Sequence, residues 1–561
     1  MGFTVPQRSP GQVVFVLHTH LPWVIGHGGW PHGQDWLHEA IAECYVPLLR
    51  VIDRLVADGI RPRITIGVTP VLAEMLTTPR LRDDFIAYCD GRIALAEADR
   101  KEFQDHGAYE AARLAADWAE FYAFVLHDFL QTYKADVVGA LRRLQKEGHI
   151  EVLTSAATHG YLPLLGRDES VAAQVRAGVA SYRRQFGRAP RGIWLPECAY
   201  RPASTWSRPV GARRRWQRPG LERILAANDL RYFFVDTHLV AGGTPLGTYE
   251  GAFADRPPAK TRRATKASPN DVHTVGSGRT RVAVLARDPR SSTQVWSADY
   301  GYPGDGVYLE FHRKKGEAGL RYHKITNRQL PLGAKESYHP EPAAVQAKLH
   351  AEHFLSLVRE TLVKHREATG RAGVVVAPFD TELFGHWWFE GPQWLEAVIR
   401  GLAADGTIAT ASEAVRATPP VSTIALPEGS WGQGGSHWVW LNDDTKWVWD
   451  LVYRAEDAFM ELLPAVRRKR TPQVRRAFEQ LARELFLLES SDWPFLITTV
   501  AAKDYATARV RMHAETFDRL AAMTRTAMKN DLAPEDKALL ASLEARDGPF
   551  RDVDLRWWDK G

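Results

Sequence analysis

A chain of 561 residues, 45% hydrophobic and 25% charged, has the composition of a soluble globular protein with room for two or three domains, which argues against disorder or residence in a membrane. Its formal net charge of +5 is small for that length, and the basic residues cluster briefly at 213–215 and 467–470 instead of lining a stripe, so no nucleic acid partner is expected. Three cysteines, Cys44, Cys89 and Cys198, without CxxC spacing, support neither a disulfide framework nor a cysteine zinc site.

Residues 1–11 are polar, with Pro6 and Pro10, and lack the apolar core of a secretory signal; no run reaches membrane-spanning length, so the expected location is the cytoplasm, with no membrane partner. The VVFVL run at 13–17 predicts a strand buried on both faces, and it leads into HTHLPW at 18–23. If the extended backbone continues, His18 and His20 point the same way, as metal ligands, substrate hydrogen-bonders or structural histidines; the pair alone favours the last. Apolar residues at 41, 45, 48, 52 and 55 predict a helix over 39–59 that ends at a glycine, and RITIGV at 63–68 predicts a strand. The order strand, helix, strand implies a parallel sheet.

From 83 to 146 the pattern is helical throughout, which reads as an insertion between strands. A strand over 150–153 runs into THGY at 158–161, a helix over 169–186 follows, and the strand GIWL at 192–195 ends in PECAY, which carries Glu197. A glutamate after a strand is ordinarily solvated or a cap, but its position is repeated later by Asp380. Cys198 reads as packing beside a site, since no neighbour in sequence is an obvious base. Residues 201–220, rich in Arg, Pro and Trp, read as a loop, and YFFV at 232–235 ends in Asp236 and His238. The polar, basic, proline-bearing stretch 253–278 predicts a long mobile excursion with Tyr249 at its entrance. A strand over 282–286 leads to Arg287 and Asp288, WSADYGYPG follows at 296–304, and a helix is predicted over 343–369.

The stretch around which the rest is organised is GVVVAPFDTELFGHWWFEG at 373–391. Residues 374–377 read as a buried strand that stops at Pro378. Beyond it lie Asp380, Glu382, His386, Trp387 and Trp388. Carboxyl groups beside flat aromatic surfaces suit acid-base work on a glycosidic oxygen, with the sugar ring resting on an aromatic face. For Asp380 alone a helix cap is the plainer account; two carboxylates, a histidine and two tryptophans close together outweigh it. A helix over 393–405 and a last strand over 407–410 precede a boundary at Pro419 and Pro420. LPEGSWGQGGSHWVW at 426–440 is a Gly-Trp loop, and the remainder is helical over 454–463, 471–488, 505–529 and 534–544, broken by SSDWPF at 490–495. No internal repeat is evident, and the surplus of 19 tryptophans suits carbohydrate binding.

Polar residues at the ends of successive strands predict a barrel with its site at the C-terminal face. HTHLP, THGY, WLPECAY, PFDTELFGHWW and LPEGSWGQGG resemble, in this order as written, the characteristic regions of glycoside hydrolase family 57, and WSADYGYPG, LPEGSWG and SSDWPF look like segments of its glucan-branching members. The resemblance covers nearly the whole chain. It implies an α/β fold: an incomplete TIM-like (β/α)7 barrel over 1–420, interrupted by the helical insertion at 83–146, and a helical C-terminal domain over 421–561 that contributes substrate-binding loops. It also implies Glu197 as nucleophile and Asp380 as proton donor, with donor-chain contacts by Arg287, Gly304, Trp431 and Asp492. Trp296 and Trp440 would be further aromatic subsites, Tyr249 the tyrosine that shields the site, and His18 and His20 part of the substrate-binding set. The chain departs from the usual pattern in Cys198, where relatives often carry Met, and in the basic stretch after Tyr249.

The expected reaction is retaining transfer between α-1,4-glucan donor and acceptor chains, making α-1,6 branches without metal or cofactor. Rival readings are a 4-α-glucanotransferase or α-amylase-like hydrolase of the same family, a metal-dependent polysaccharide deacetylase holding zinc on the HxH pair, and a non-catalytic carbohydrate-binding protein. The deacetylase lacks an early Asp-Asp pair, and a mere binder has no need of carboxylates at two strand ends.

Overall fold

Runs of consecutive apolar, β-branched residues make strands that bury both faces, and such strands pair in parallel under a cover of helices. The computed structural model describes residues 10–211, 214–245, 263, 265–297, 300–316, 319–469 and 471–560. The fold is mixed α/β, with parallel sheets and many helices. Its parallel strands are β1 (Gly11–Thr19), β2 (Ile64–Val68), β3 (Ile150–Leu153), β4 (Gly192–Ile193), β5 (Tyr232–Val235), β6 (Val282–Ala286) and β7 (Gly373–Asp380). One sheet has the order β7-β1-β2-β3, all parallel. The other pairs β4 with β5 and β5 with β6, also in parallel. A parallel bridge from Thr154 to Ile193 joins β3 to β4, and another from Arg287 to Val376 joins the end of β6 to β7.

Both faces of β1 are buried. Val13, Phe15 and Leu17 enter the larger core, while Val14 and Val16 pack with Leu153, Phe234, Leu285 and Val376, a second core drawn from strands of both sheets. Long helices cover the outside; Pro340–Thr369 lies against β1 and β7, and Gly391–Ala404 packs on that helix. No described helix is long and apolar enough to cross a membrane.

Several expectations are corrected. β7 does not stop at Pro378 but runs to Asp380, paired with β1 up to His18. Proline is tolerated because, among the described residues, no continuous ladder pairs the other edge of β7, which has a bridge at Val376 and a hydrogen bond from Val374 N–H to the Asn270 carbonyl. Residues 201–220 are not merely a loop: Ser204–Ser207 and Arg215–Arg218 form an antiparallel hairpin with Trp206 opposite Trp216. Arginines and prolines mask the alternation there. Part of the stretch read as an excursion, His273–Val275, is a strand antiparallel to β6, while Tyr249 and residues 253–262 and 264 lie outside the described residues. Residues 407–410 make a single bridge to Val13 instead of a strand. The helix read over 39–59 is Gln34–Ala40 and Val46–Ala57 joined by a π-helical turn, Ile41–Tyr45. That wide turn carries Glu43, Cys44 and Tyr45 against the segment after β7, where Tyr45 donates to Glu382 and Glu43 lies 2.8 Å from His386.

Candidate active site

The C-terminal ends of β1, β4, β6 and β7 open on a cleft of about 660 Å3 that holds Glu197 and Asp380 in its wall. Glu197 follows β4 in one tight turn, Pro196–Cys198, with left-handed backbone angles of φ 62° and ψ 25°. A side chain in that region costs roughly 1–3 kcal/mol and persists only when its surroundings hold it. The Gly-Trp loop does so. Trp431 Nε1–H donates to Glu197 Oε2 at 2.8 Å, the Trp431 backbone N–H donates to the Glu197 carbonyl at 3.1 Å, and Tyr200 and Gly429 exchange backbone hydrogen bonds beside them. Asp380 is the last residue of β7 and stands beside His18 in the ladder.

Burial raises the Glu197 carboxyl to about 8, against the Trp431 indole donor and with the help of nearby Asp380. Burial likewise raises Asp380 to about 7, against His20 and Arg287. With both carboxyls pushed up toward neutrality, one can hold a proton while the other carries charge. An indole N–H can only donate, so the Trp431 contact favours the charge on Glu197, while His20 and Arg287 favour it on Asp380. A carboxylate and a carboxylic acid in one cleft are the two groups that glycosidic cleavage with retention needs. Glu382, at the same strand end, is also raised by burial, to about 8, although Tyr45 donates to it at 2.7 Å.

His18 and His20 do face the same way, their rings stacked 5.9 Å apart, and His159 joins them at 5.0 and 4.0 Å. Burial lowers His18 and His159 well below the usual imidazole range, so both are neutral near pH 7. Their Nε2 atoms lie 3.1 Å apart, and His159 Nδ1 meets Ser491 at 2.8 Å. Asp492 reaches into this stack from the C-terminal helices and lies 3.0 Å from His20 Nε2. Burial alone would raise its carboxyl; the adjacent His20 more than reverses that and holds it below the usual range. His20, His159 and Asp492 offer ligand atoms within 4.8 Å of one another, a spacing that a cation could bridge. Each imidazole nitrogen of His20 and His159 already faces a protein partner: Thr69 and Asp492 for one, Ser491 and His18 for the other.

Arg287 is 1% exposed, donates to Asp236 at 2.8 Å, and lines the cleft near the Trp431 ring. Trp296 lines it too. Gly304 and Trp440 stand outside the lining residues. The Gly304 carbonyl accepts from Arg328, and Trp440 stacks on Tyr161 behind the Gly-Trp loop with ring centroids 4.4 Å apart. Tyr249 lies outside the described residues. Cys198 is buried, with its thiol pushed well above the usual range by burial, so it packs as an inert side chain. Phe495, from the SSDWPF segment, lines the cleft, and so do Trp36 and Phe311, which were not singled out from the sequence. Trp36 carries a signal, the Gly-, His- and Trp-rich stretch at 26–36; Phe311 sits in irregular chain with no period to read.

Residues 14–427 match the model of glycosyl hydrolase family 57, and residues 451–558 match that of the 1,4-alpha-glucan branching enzyme C-terminal region. The chain is 44% identical over 555 residues to the 1,4-alpha-glucan branching enzyme TK1436 of Thermococcus kodakarensis, covering 97% of this chain and 78% of that protein. The crystal structure of TK1436 with glucose and additives superposes with a TM-score of 0.89 at 42% identity, covering 98% of this chain and 97% of the other. The branching enzyme of Pyrococcus horikoshii gives 0.87 at 38%, over 98% and 97%. The alpha-amylase AmyC of Thermotoga maritima gives 0.80 at 30%, over 98% and 99%.

Proposed function

As a member of glycosyl hydrolase family 57 with the C-terminal region of its branching enzymes, the chain has a reaction to account for, and we propose that its cleft carries out 1,4-α-glucan branching: an α-1,4 linkage is cleaved and the freed chain is transferred to a 6-hydroxyl. The observation that carries this reading is the buried pair Glu197 and Asp380 at two strand ends, with the Trp431 indole N–H on Glu197. Asp380 gives its proton to the glycosidic oxygen while the Glu197 carboxylate attacks the anomeric carbon from the opposite face, forming a covalent glycosyl-enzyme. The leaving chain departs neutral. Asp380, now ionised, takes the proton of an acceptor 6-hydroxyl, whose oxygen displaces Glu197 and restores the α configuration.

Arg287, beside Asp380 and over Trp431, supplies positive charge where negative charge moves between the two carboxyls. Trp296 and Trp431 give the flat apolar walls against which glucose rings rest, and Asp492 with His20 supplies polar contacts at the same end. Within this reading the parallel strands are an incomplete (β/α)7 barrel, supported by the bridges that join both edges of one sheet to the other. A division near residue 420 and a cytoplasmic location belong to the same proposal, the latter supported by the unpaired, buried Cys44, Cys89 and Cys198.

Glu197→Ala with azide tests the nucleophile. Azide entering from the vacated face should restore cleavage and leave a β-glycosyl azide. Turnover at the wild-type rate without azide contradicts the assignment.

A further inference from the structure

A second cleft, of about 980 Å3, opens where the hairpin Ser204–Ser207/Arg215–Arg218 meets the start of helix Asp168–Phe186, helix Leu221–Ala227 and Lys560. It shares no lining residue with the carboxylate cleft. Seven of its lining side chains are Arg or Lys against three Asp or Glu, an excess of four positive charges. Two of those acids are already engaged. Asp457 accepts from both terminal nitrogens of Arg208 at 2.7 Å and from Arg167 Nε at 2.8 Å, and Asp168 accepts from Arg218 Nε at 2.7 Å. Arg214 and Arg223, exposed at the rim, and Lys560 make no side-chain ion pair or hydrogen bond among the described residues.

The wall behind them is positive as well. Arg218 is 2% exposed, lies 4.6 Å over the Trp206 ring, and leaves its Nη2 without an acceptor. Next to it Arg201, fully buried, is pulled down to about 10 by burial and then by the neighbouring Arg218 charge. Buried cationic groups whose charge is not fully offset project a positive field into the adjoining cleft, where low-dielectric walls concentrate it. Trp216, held edge-to-face on Trp206 at 5.1 Å, adds a flat apolar wall.

We infer that this cleft binds a phosphorylated small molecule, its phosphoryl oxygens taken by Arg214 and Arg223 and its sugar or base laid against Trp216. Guanidinium forks match phosphoryl oxygens two at a time, and the volume suits a ligand of nucleotide size. The inference stands apart from the reaction in the other cleft, since no residue is shared.

Isothermal titration calorimetry on the full chain tests it, with inorganic phosphate, glucose 1-phosphate and ADP as probes, each alone and in the presence of saturating maltotetraose. At least one probe should bind at millimolar concentration or below with maltotetraose present. The Arg214→Glu/Arg223→Glu double variant should bind it about tenfold more weakly or worse, as expected for lost charge-assisted bonds. Its unfolding temperature and branching rate should match the parent's. Preference for an ester over inorganic phosphate, reduced by Trp216→Ala, assigns the ligand to a sugar phosphate or nucleotide; equal binding of inorganic phosphate assigns it to the free ion. Absence of heat with all three probes, binding unchanged by charge reversal, or displacement by maltotetraose would overturn the inference.

Discussion

At the scale of single residues, the proposed chemistry rests on two buried carboxyls, Glu197 and Asp380. Burial pushes Glu197 up to about 8 and Asp380 up to about 7. Below the window between these values both hold protons and the nucleophile is lost; above it both are charged and the acid is lost. The profile of kcat/KM against pH should therefore be a bell centred near neutrality, with its acid limb displaced upward from the ordinary carboxylate range. An acid limb near pH 4 contradicts the assignment.

The same burial has a stability consequence. A carboxyl whose pKa rises from 4.5 to about 8 on folding holds its proton more tightly in the native state, so its contribution is unpenalised below 4.5 and becomes unfavourable as pH rises toward 8. Glu197→Gln, which keeps shape and still accepts from Trp431, should abolish transfer and yet raise stability at pH 8 by roughly 1–3 kcal/mol. Denaturant titration at pH 5 and pH 8 checks this; the gain should shrink at the lower pH.

At the scale of elements, the strands were legible where short runs are mostly apolar or aromatic: 150–153, 232–235 and 282–286 fall where they were read. Strand-end residues were legible for the same reason, because extended backbone fixes which way His18 and Asp380 lie. The Trp206/Trp216 hairpin was not, since its pairing is set by partners across a turn and not by a local period. Nor was the support behind the Gly-Trp loop. Trp440 reads like another sugar platform, but it is 1% exposed, and a Cβ on Gly432 would come within 2.6 Å of its ring. Only packing distinguishes a tryptophan that faces substrate from one that props the loop. Trp440→Ala should cost roughly 3–5 kcal/mol of stability as a buried cavity and lower activity by loosening Trp431 from Glu197, whereas Trp440→Phe recovers part of both. Melting temperature and branching rate measured on the same samples check it; a stable Trp440→Ala chain with only a raised KM would return Trp440 to the substrate's side.

At the scale of the whole molecule, the cleft is assembled from distant parts of the chain. Asp492 and Ser491 come from the C-terminal helices to meet His20 and His159, and Trp431 comes from the loop between the sheets and those helices. Thr158 donates to the Phe486 carbonyl and Tyr453 to that of Leu164, so the C-terminal helices grip the strand ends on which the carboxyls sit. Branching and hydrolysis share the same first step and differ in what displaces Glu197, so the carboxylate pair alone does not select between them. Long aromatic walls that hold a second glucan favour transfer; an open path for water favours hydrolysis. The measurement that reaches this directly is proton NMR of amylose incubated with the protein, counting α-1,6 linkages and new reducing ends in one sample. The account predicts α-1,6 signals well in excess of net new reducing ends, and neither with Glu197→Gln. Reducing ends that accumulate without α-1,6 signals, or new linkages that are all α-1,4, would contradict it.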